Sequence, residues 1–349
     1  MEIRTSYAAD NYTIHVDHGI LESRLADYSA DYDAVHFLVD RNVYQLYKDS
    51  VLSFIDSPII LEGGEASKSF DAFKHITESL LERGIQRHHL IVVVGGGAAG
   101  DAGGFAAATV LRGVDYIQVP TTLLAHDSSI GGKTAINSTH GKNLIGVFYR
   151  PKAVIYDLSL LETLPQDEVL SGFGEVFKHA LLKDEETVRD LMAETRGEIT
   201  LDALKPFIIS GIETKMHHVL NDEKESGIRK YLNLGHTLGH AIEYRYKIPH
   251  GIAVVLGLYF TMFLSNEVEG RKIFDLDHFR QYFIHHGYPI HKLKSIDEDE
   301  MMSLMGRDKK NQSRAATGFV LMKSIGQCHF IEIENTELKK YLSYLKESL

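Results

Sequence analysis

The sequence has a single cysteine, Cys328, and no CxxC pair. That excludes an internal disulfide framework and a cysteine-type structural zinc site. It also has no positive excess: the formal net charge is -11 with histidine neutral, which disfavours non-specific binding to nucleic acid. Any basic pocket must therefore be local, built from a few converging lysines and arginines. Long apolar runs are absent too. The longest near a helix, Ile252 to Leu264, is too short to span a bilayer and reads as a buried helix. The opening stretch MEIRTSYAADNYTIHVDHG contains no apolar core of signal-peptide length. With the lone cysteine, this gives the expectation of a reducing, cytoplasmic compartment and no membrane partner. No internal repeat or low-complexity segment is visible.

What the chain does have is length and histidine. At 349 residues it is expected to form about two domains and to bury about three quarters of its unfolded surface without staples. Of its 19 histidines, most, such as His88-His89 and His285-His286, read as ordinary surface residues.

The first half alternates short β-branched runs with helical patterns. Strands are expected at Val35 to Val39, Pro58 to Leu61, Leu90 to Val94, Tyr116 to Val119 and Ala153 to Tyr156. Helices are expected at Asn42 to Phe54, Ser69 to Arg83 and Gly100 to Leu111. The continuously apolar Leu90 to Val94 suits a parallel strand buried on both faces. After Pro165 helical periodicity dominates: Asp167 to Leu182, Glu185 to Glu194, Leu201 to Val219, Thr237 to Tyr246, Ile252 to Glu267, Asp275 to Phe283 and Glu298 to Leu304. A late β pair, Gly318 to Met322 and Cys328 to Glu332, precedes a last helix, Thr336 to Leu345. The expected class is α/β, a doubly wound, Rossmann-like domain over 1–166 followed by a mostly helical domain over 167–349.

Four segments carry chemistry. GGGAAGD, Gly95 to Asp101, follows the buried strand and opens a helix, fitting GxGxxG through Gly95, Gly97 and Gly100. Such glycines let a backbone approach a pyrophosphate at a helix N-terminus, although they also serve tight strand-helix turns. The motif lies on about the third strand, so a ribose-binding acid would come from an earlier strand end, where Asp40 stands. The 27-residue stretch Pro120 to Gly146 carries Asp127, Lys133, Asn137, Lys142 and Asn143 and is expected to have little regular structure, which usually marks function. GFGEVFKHALL places Glu175 and Lys178 at i, i+3 on a largely buried helix, where a carboxylate needs a cation. NLGHTLGHAIE, Asn233 to Glu243, puts His236 and His240 on one helix face, with His250 ten residues on. Imidazoles plus a carboxylate are the ligand set for a zinc-type cation with an open position; core histidines satisfied by carbonyls are the alternative. Lys215 and Arg229 lie just before this pair. GRDKKNQSR, Gly306 to Arg314, is a basic patch, either a solvated loop or a flap that closes on an acidic substrate.

In this order and spacing, GGGxxGDxxGFxAxxxxRG, PTTLLAxxDSSxGGKTxIN, GKNLIGxFxxP, LxTLP, GxxExxK, LNxGHTxGHAxE and HG resemble the 3-dehydroquinate synthase family, within the sugar-phosphate cyclases, from Glu62 to about Asn311. Two departures stand out. LLAHDSS is one residue shorter than in many members, and Gly174 stands where alanine is common.

The resemblance implies an enzyme of the shikimate pathway, a homodimer with catalytic NAD and a zinc ion for which cobalt can substitute. Its substrate is a phosphorylated seven-carbon sugar acid, 3-deoxy-D-arabino-heptulosonate 7-phosphate. The implied metal ligands are Glu175, His236 and His250, which overrides the spacing-based pairing of His236 with His240. Lys133, Lys178, Lys215, Arg229, Asn233 and His240 are implied as catalytic, and Asn143 and Lys309 as substrate contacts. Arg112 would reach the phosphate in a neighbouring subunit. Asp40, Asn42, Glu65, Lys68, Gly97, Asp101, Thr121, Thr122, Asp127, Lys142 and Thr163 are implied as NAD contacts. Lysine, arginine and asparagine orient and neutralise a phosphate, which can itself act as the base for its own elimination. A sister cyclase such as 2-deoxy-scyllo-inosose synthase shares the NAD and metal motifs, but Lys215 and Arg229 suit a substrate carboxylate. A metal-dependent polyol dehydrogenase and a non-catalytic nucleotide-binding module are the remaining readings.

Overall fold

The computed structural model describes residues 1–223, 225–306 and 315–349. The chain divides into two compact units, Met1–Pro165 and Gln166–Leu349.

The first unit is built on one seven-stranded sheet. In chain order its elements are β1 (Glu2–Arg4), β2 (Thr13–Asp17), α1 (Leu21–Ser29), β3 (Val35–Asp40), α2 (Arg41–Tyr47), β4 (Ile59–Leu61), α3 (Phe70–Glu82), β5 (Leu90–Gly95), α4 (Gly97–Thr109), β6 (Tyr116–Pro120), α5 (Ala125–Ser128), β7 (Lys133–Ser138), β8 (Gly141–Phe148) and β9 (Ala153–Asp157). The sheet runs β1-β2-β9-β6-β5-β3-β4, parallel except for the β1–β2 pair. β5, β6 and β9 are buried along their whole length, as continuous apolar runs require. From β3 the chain crosses to β4 on one side; from β5 it crosses to β6 on the other. The carboxyl ends of β3 and β5 therefore flank a topological switch point, where open parallel sheets take their ligands.

Several sequence expectations change here. The helix expected over Asn42 to Phe54 stops at Tyr47, whose carbonyl accepts from Ser50 and Leu52 in successive turns. The helix expected from Gly100 begins at Gly97 and ends at Thr109, because Val110 turns extended with ψ 132°, and Leu111 and Arg112 then adopt left-handed φ values of 50° and 66°. Pro120 to Gly146 is not irregular. It holds α5 and most of an antiparallel hairpin, β7–β8, with Lys133 opposite Phe148. Strands β1 and β2 and helix α1 had no counterpart in the sequence reading.

The second unit contains α6 (Gln166–Lys183), α7 (Glu185–Glu194), α8 (Leu201–Asn221), α9 (His236–Tyr246), α10 (His250–Glu269), α11 (Leu276–His285), α12 (Glu298–Gly306), the antiparallel pair β10 (Ala316–Ser324) and β11 (Gln327–Glu334), and α13 (Asn335–Ser348). Among the described residues α10 alone is long and apolar enough to cross a membrane, but it is the buried centre of this unit, covered from Ala253 to Ser265.

Glycines let α6 and α9 press against α10. A Cβ on Gly251 would lie 1.7 Å from the Ser171 carbonyl oxygen, and one on Gly257 1.8 Å from that of Gly235. Gly174 belongs to the same contact: a Cβ there would stand 2.4 Å from the Gly251 carbonyl oxygen. At this position the backbone approach leaves no room for a Cβ. Since α10 packs against both α6 and α9 through backbone contact, Gly257→Ala is expected to cost about 3 kcal/mol, the upper range for overpacking. The drop in urea midpoint measures it; an unchanged midpoint contradicts it.

Candidate active site

In the first unit, the residues singled out from sequence gather at the switch point. Gly95 ends β5, Gly96 caps α4 and Gly97 is its first helical residue. Free backbone N–H groups at such a start favour an anion. A Cβ on Gly97 would lie 2.7 Å from Ser128 Oγ, so the turn has no room for a side chain. Asp40 ends β3; its Oδ1 accepts from the backbone N–H of Asn42 at 2.8 Å and of Val43 at 3.3 Å, capping α2. A Cβ on Gly95 would approach Asp40 Cβ to 3.1 Å, which puts the strand-end acid beside the glycine turn. Thr121 donates its backbone N–H to the Gly95 carbonyl at 3.1 Å, and the Thr122 methyl lies against Gly96. Asp127 sits half-buried in α5. Thr163 Oγ1 bonds Tyr47 OH at 2.9 Å.

A second cluster joins residues far apart in sequence. The buried Lys68 ammonium pairs with Asp101 at 2.5 Å and also donates to the Asn143 side chain. Glu65 accepts from Asn137 Nδ2 at 2.7 Å, fastening the β7–β8 hairpin to the Gly64–Lys68 turn. Lys133 and Lys142 are exposed on this hairpin, and Asn143 has a left-handed φ of 57°. Arg112 is exposed, the second of two consecutive strained residues.

In the second unit, Glu175 is the centre. It lies on α6 and is 2% exposed. Its Oε2 faces Lys178 Nζ at 2.5 Å, so the i, i+3 pair is buried rather than a surface salt bridge. Its Oε1 faces two imidazoles, His236 Nε2 at 3.4 Å and His250 Nε2 at 3.2 Å. Burial alone would raise the Glu175 pKa, but Lys178 and the two histidines hold it well below the usual carboxylate range.

Both rings are oriented from behind. His236 Nδ1 lies 3.0 Å from the Leu234 carbonyl, which can only accept, so Nδ1 carries the proton. Burial lowers the His236 pKa, while its contact with Glu175 opposes that shift. His250 Nδ1 lies 2.8 Å from Glu243 Oε2. Burial opposes the charge on His250, yet its bonds to Glu175 and Glu243 raise its pKa to about 10 in the metal-free protein. His240 joins the group: one nitrogen from each of His236, His240 and His250 falls within 4.8 Å of the others. Three imidazoles and a carboxylate converging on one spot, with His236 and His250 each donating Nδ1–H to an oxygen behind the ring, fit a divalent cation.

The remaining expected residues are held differently. Arg229 is buried, with its guanidinium on the Glu223 carbonyl at 2.8 Å, and Asn233 donates to Glu225 Oε1 at 3.1 Å, both within the loop after α8. Lys215 is half-buried on α8. Lys309 and most of GRDKKNQSR lie outside the described residues. Sequence reasoning gave no role to Glu243, although it stands seven residues after His236 on the same helix face.

The fold class is that of the sugar-phosphate cyclases. Solved structures with it include 2-deoxy-scyllo-inosose synthase complexed with carbaglucose-6-phosphate, NAD+ and Co2+ (25% identity, TM-score 0.81, 98% of this chain and 99% of that one). Another is the 2-epi-5-epi-valiolone synthase of Streptomyces hygroscopicus with NAD+ and Zn2+ (21% identity, TM-score 0.85, 99% of each chain).

The 3-dehydroquinate synthase N-terminal model matches residues 58–171 and the C-terminal model residues 172–311. Curated 3-dehydroquinate synthases from Staphylococcus saprophyticus (45% identical, 97% of each chain) and Staphylococcus carnosus (42% identical, 100% of each) are similar along the full length. The chain belongs to the 3-dehydroquinate synthase family.

The geometry brings His240 within reach of the cluster, so substitution must separate ligand from neighbour. Metal content after dialysis against zinc is expected to fall at least tenfold in Glu175→Ala and His250→Ala, and to stay near one ion per chain in His240→Ala. Equal loss in His240→Ala would make it a ligand.

Proposed function

We propose that the chain catalyses the reaction for which its family is named. It converts 3-deoxy-D-arabino-heptulosonate 7-phosphate to 3-dehydroquinate and phosphate through transient oxidation, elimination, re-reduction, ring opening and an intramolecular aldol closure. On this reading it is a phosphate-eliminating carbon-oxygen lyase of the shikimate pathway, leading to chorismate and the aromatic amino acids, and acts as a cytoplasmic homodimer. The observation that carries the reading is the buried Glu175, facing two imidazole Nε2 atoms in a chain that belongs to this family.

When bound, the metal supplies Lewis acidity toward the substrate's vicinal hydroxyls, and NAD a reversible acceptor for hydride from one of those carbons. Glu175, His236 and His250 would hold the metal. Lys178 neutralises Glu175 Oε2, the oxygen that does not face the two imidazoles. Asp40 takes the ribose, and the Gly95–Gly97 turn the pyrophosphate, of NAD. Lys215 and Arg229 bind the substrate carboxylate; Lys133, Asn143 and Lys309 orient the phosphate, with Arg112 supplied by the neighbouring subunit. Asn233 and His240 make polar contacts at the reacting end. The 42–46% identity of the curated relatives, against 25% for 2-deoxy-scyllo-inosose synthase, supports a substrate that carries a carboxylate.

A dehydrogenase consumes NAD; this cycle returns it. With the heptulosonate phosphate, zinc and a trace of NAD, phosphate is expected to appear over many turnovers with no growing NADH absorbance. NADH formed in proportion to product would identify a dehydrogenase instead.

A further inference from the structure

Two imidazoles face Glu175, and their rear hydrogen bonds differ in kind. His236 is fixed by a main-chain carbonyl two residues away, a bond the backbone supplies whatever the neighbouring side chains. His250 is the first residue of α10 and turns its Nδ1 to the side chain of Glu243 on α9. An ionised carboxylate only accepts, so Nδ1 carries the proton and Nε2 is the nitrogen directed at Glu175. Glu243 itself is placed by helix geometry: His236, His240 and Glu243 stand at i, i+4 and i+7, on one face of α9. Its side chain is 23% exposed, so the bond forms where solvent only partly competes. A carboxylate behind an imidazole fixes the tautomer and ring angle and makes the opposite nitrogen a better donor.

We propose that Glu243 is a positioning residue of the metal site, holding His250 as the Nδ1–H tautomer with Nε2 aimed beside Glu175 Oε1. The inference rests on the reading that Glu175, His236 and His250 hold a divalent metal. In this proposal Glu243 is not itself a ligand and acts through His250.

Zinc affinity of the full-length protein, measured by competition with a chromophoric chelator, tests this. Glu243→Gln keeps an acceptor oxygen but loses the charge and is expected to weaken zinc about tenfold; Glu243→Ala loses both and is expected to weaken it about 100-fold. His250→Ala removes the ring through which Glu243 acts, so adding Glu243→Gln to it should weaken zinc no further. Nitrogen-15 NMR of the zinc-loaded wild type should show His250 protonated at Nδ1, with that proton less protected in Glu243→Ala. The metal-free isosteric glutamine variant should keep the wild-type circular dichroism spectrum and a cooperative melt, with a modestly lower melting temperature because it loses a carboxylate beside His250, which keeps the test valid if the alanine variant folds poorly. Wild-type affinity in both variants, or an equal loss from Glu243→Gln with and without His250, overturns the inference alone. A wild type that binds no zinc overturns the metal reading and this inference with it.

Discussion

A carboxylate buried without a partner would neutralise itself or unfold its surroundings; Glu175 does neither because cationic and imidazole groups surround it. Lys178 balances one oxygen from the same helix, and His236 and His250 approach the other from two further helices. The second unit is arranged around that meeting. α6 supplies the carboxylate and its lysine, α9 the first imidazole, and α10 the second at its own first residue. Removing Lys178 would leave the Glu175 carboxylate buried without its ammonium partner, so fold and site share one electrostatic constraint.

Backbone contact makes the convergence possible. Gly174, Gly251 and Gly257 allow carbonyls of neighbouring helices to occupy the space a Cβ would take. Small residues at these crossings determine where the ligands point. The first unit uses small residues in a related way: α4 lies so close to the sheet that a Cβ on Gly100 would stand 2.3 Å from Gln118 Nε2 and one on Gly103 2.6 Å from Val93 Cγ2. That approach brings the helix start, which has no side-chain cap, to the sheet's switch point beside Asp40.

Much of this was legible in the sequence where period or composition was extreme. β5 is an unbroken apolar run and α4 a run of glycine and alanine, and both stand where the pattern put them to within a few residues. β8 was not legible. Its face is mostly exposed, with Leu144, Val147 and Phe148 open to solvent, so no alternation marks it as a strand. β1 is three residues long and carries no pattern. Helical spacing paired His236 with His240 but could not reach His250, which belongs to the next helix; only family resemblance supplied it. Spacing could have flagged Glu243, seven residues after His236, but the partner that gives it meaning lies across a loop. The Lys68–Asp101–Asn143 cluster joins three separate motifs, and nothing local announces such a contact.

The central claim is that Glu175 Oε1 and the two imidazole Nε2 atoms are ligands of one cation. An anomalous-difference map from crystals of the zinc-loaded protein tests it directly. The account predicts a single peak about 2.0–2.2 Å from a Glu175 carboxylate oxygen and from Nε2 of both His236 and His250. A zinc ion bound by the three histidines while Glu175 stays paired with Lys178 alone would contradict it.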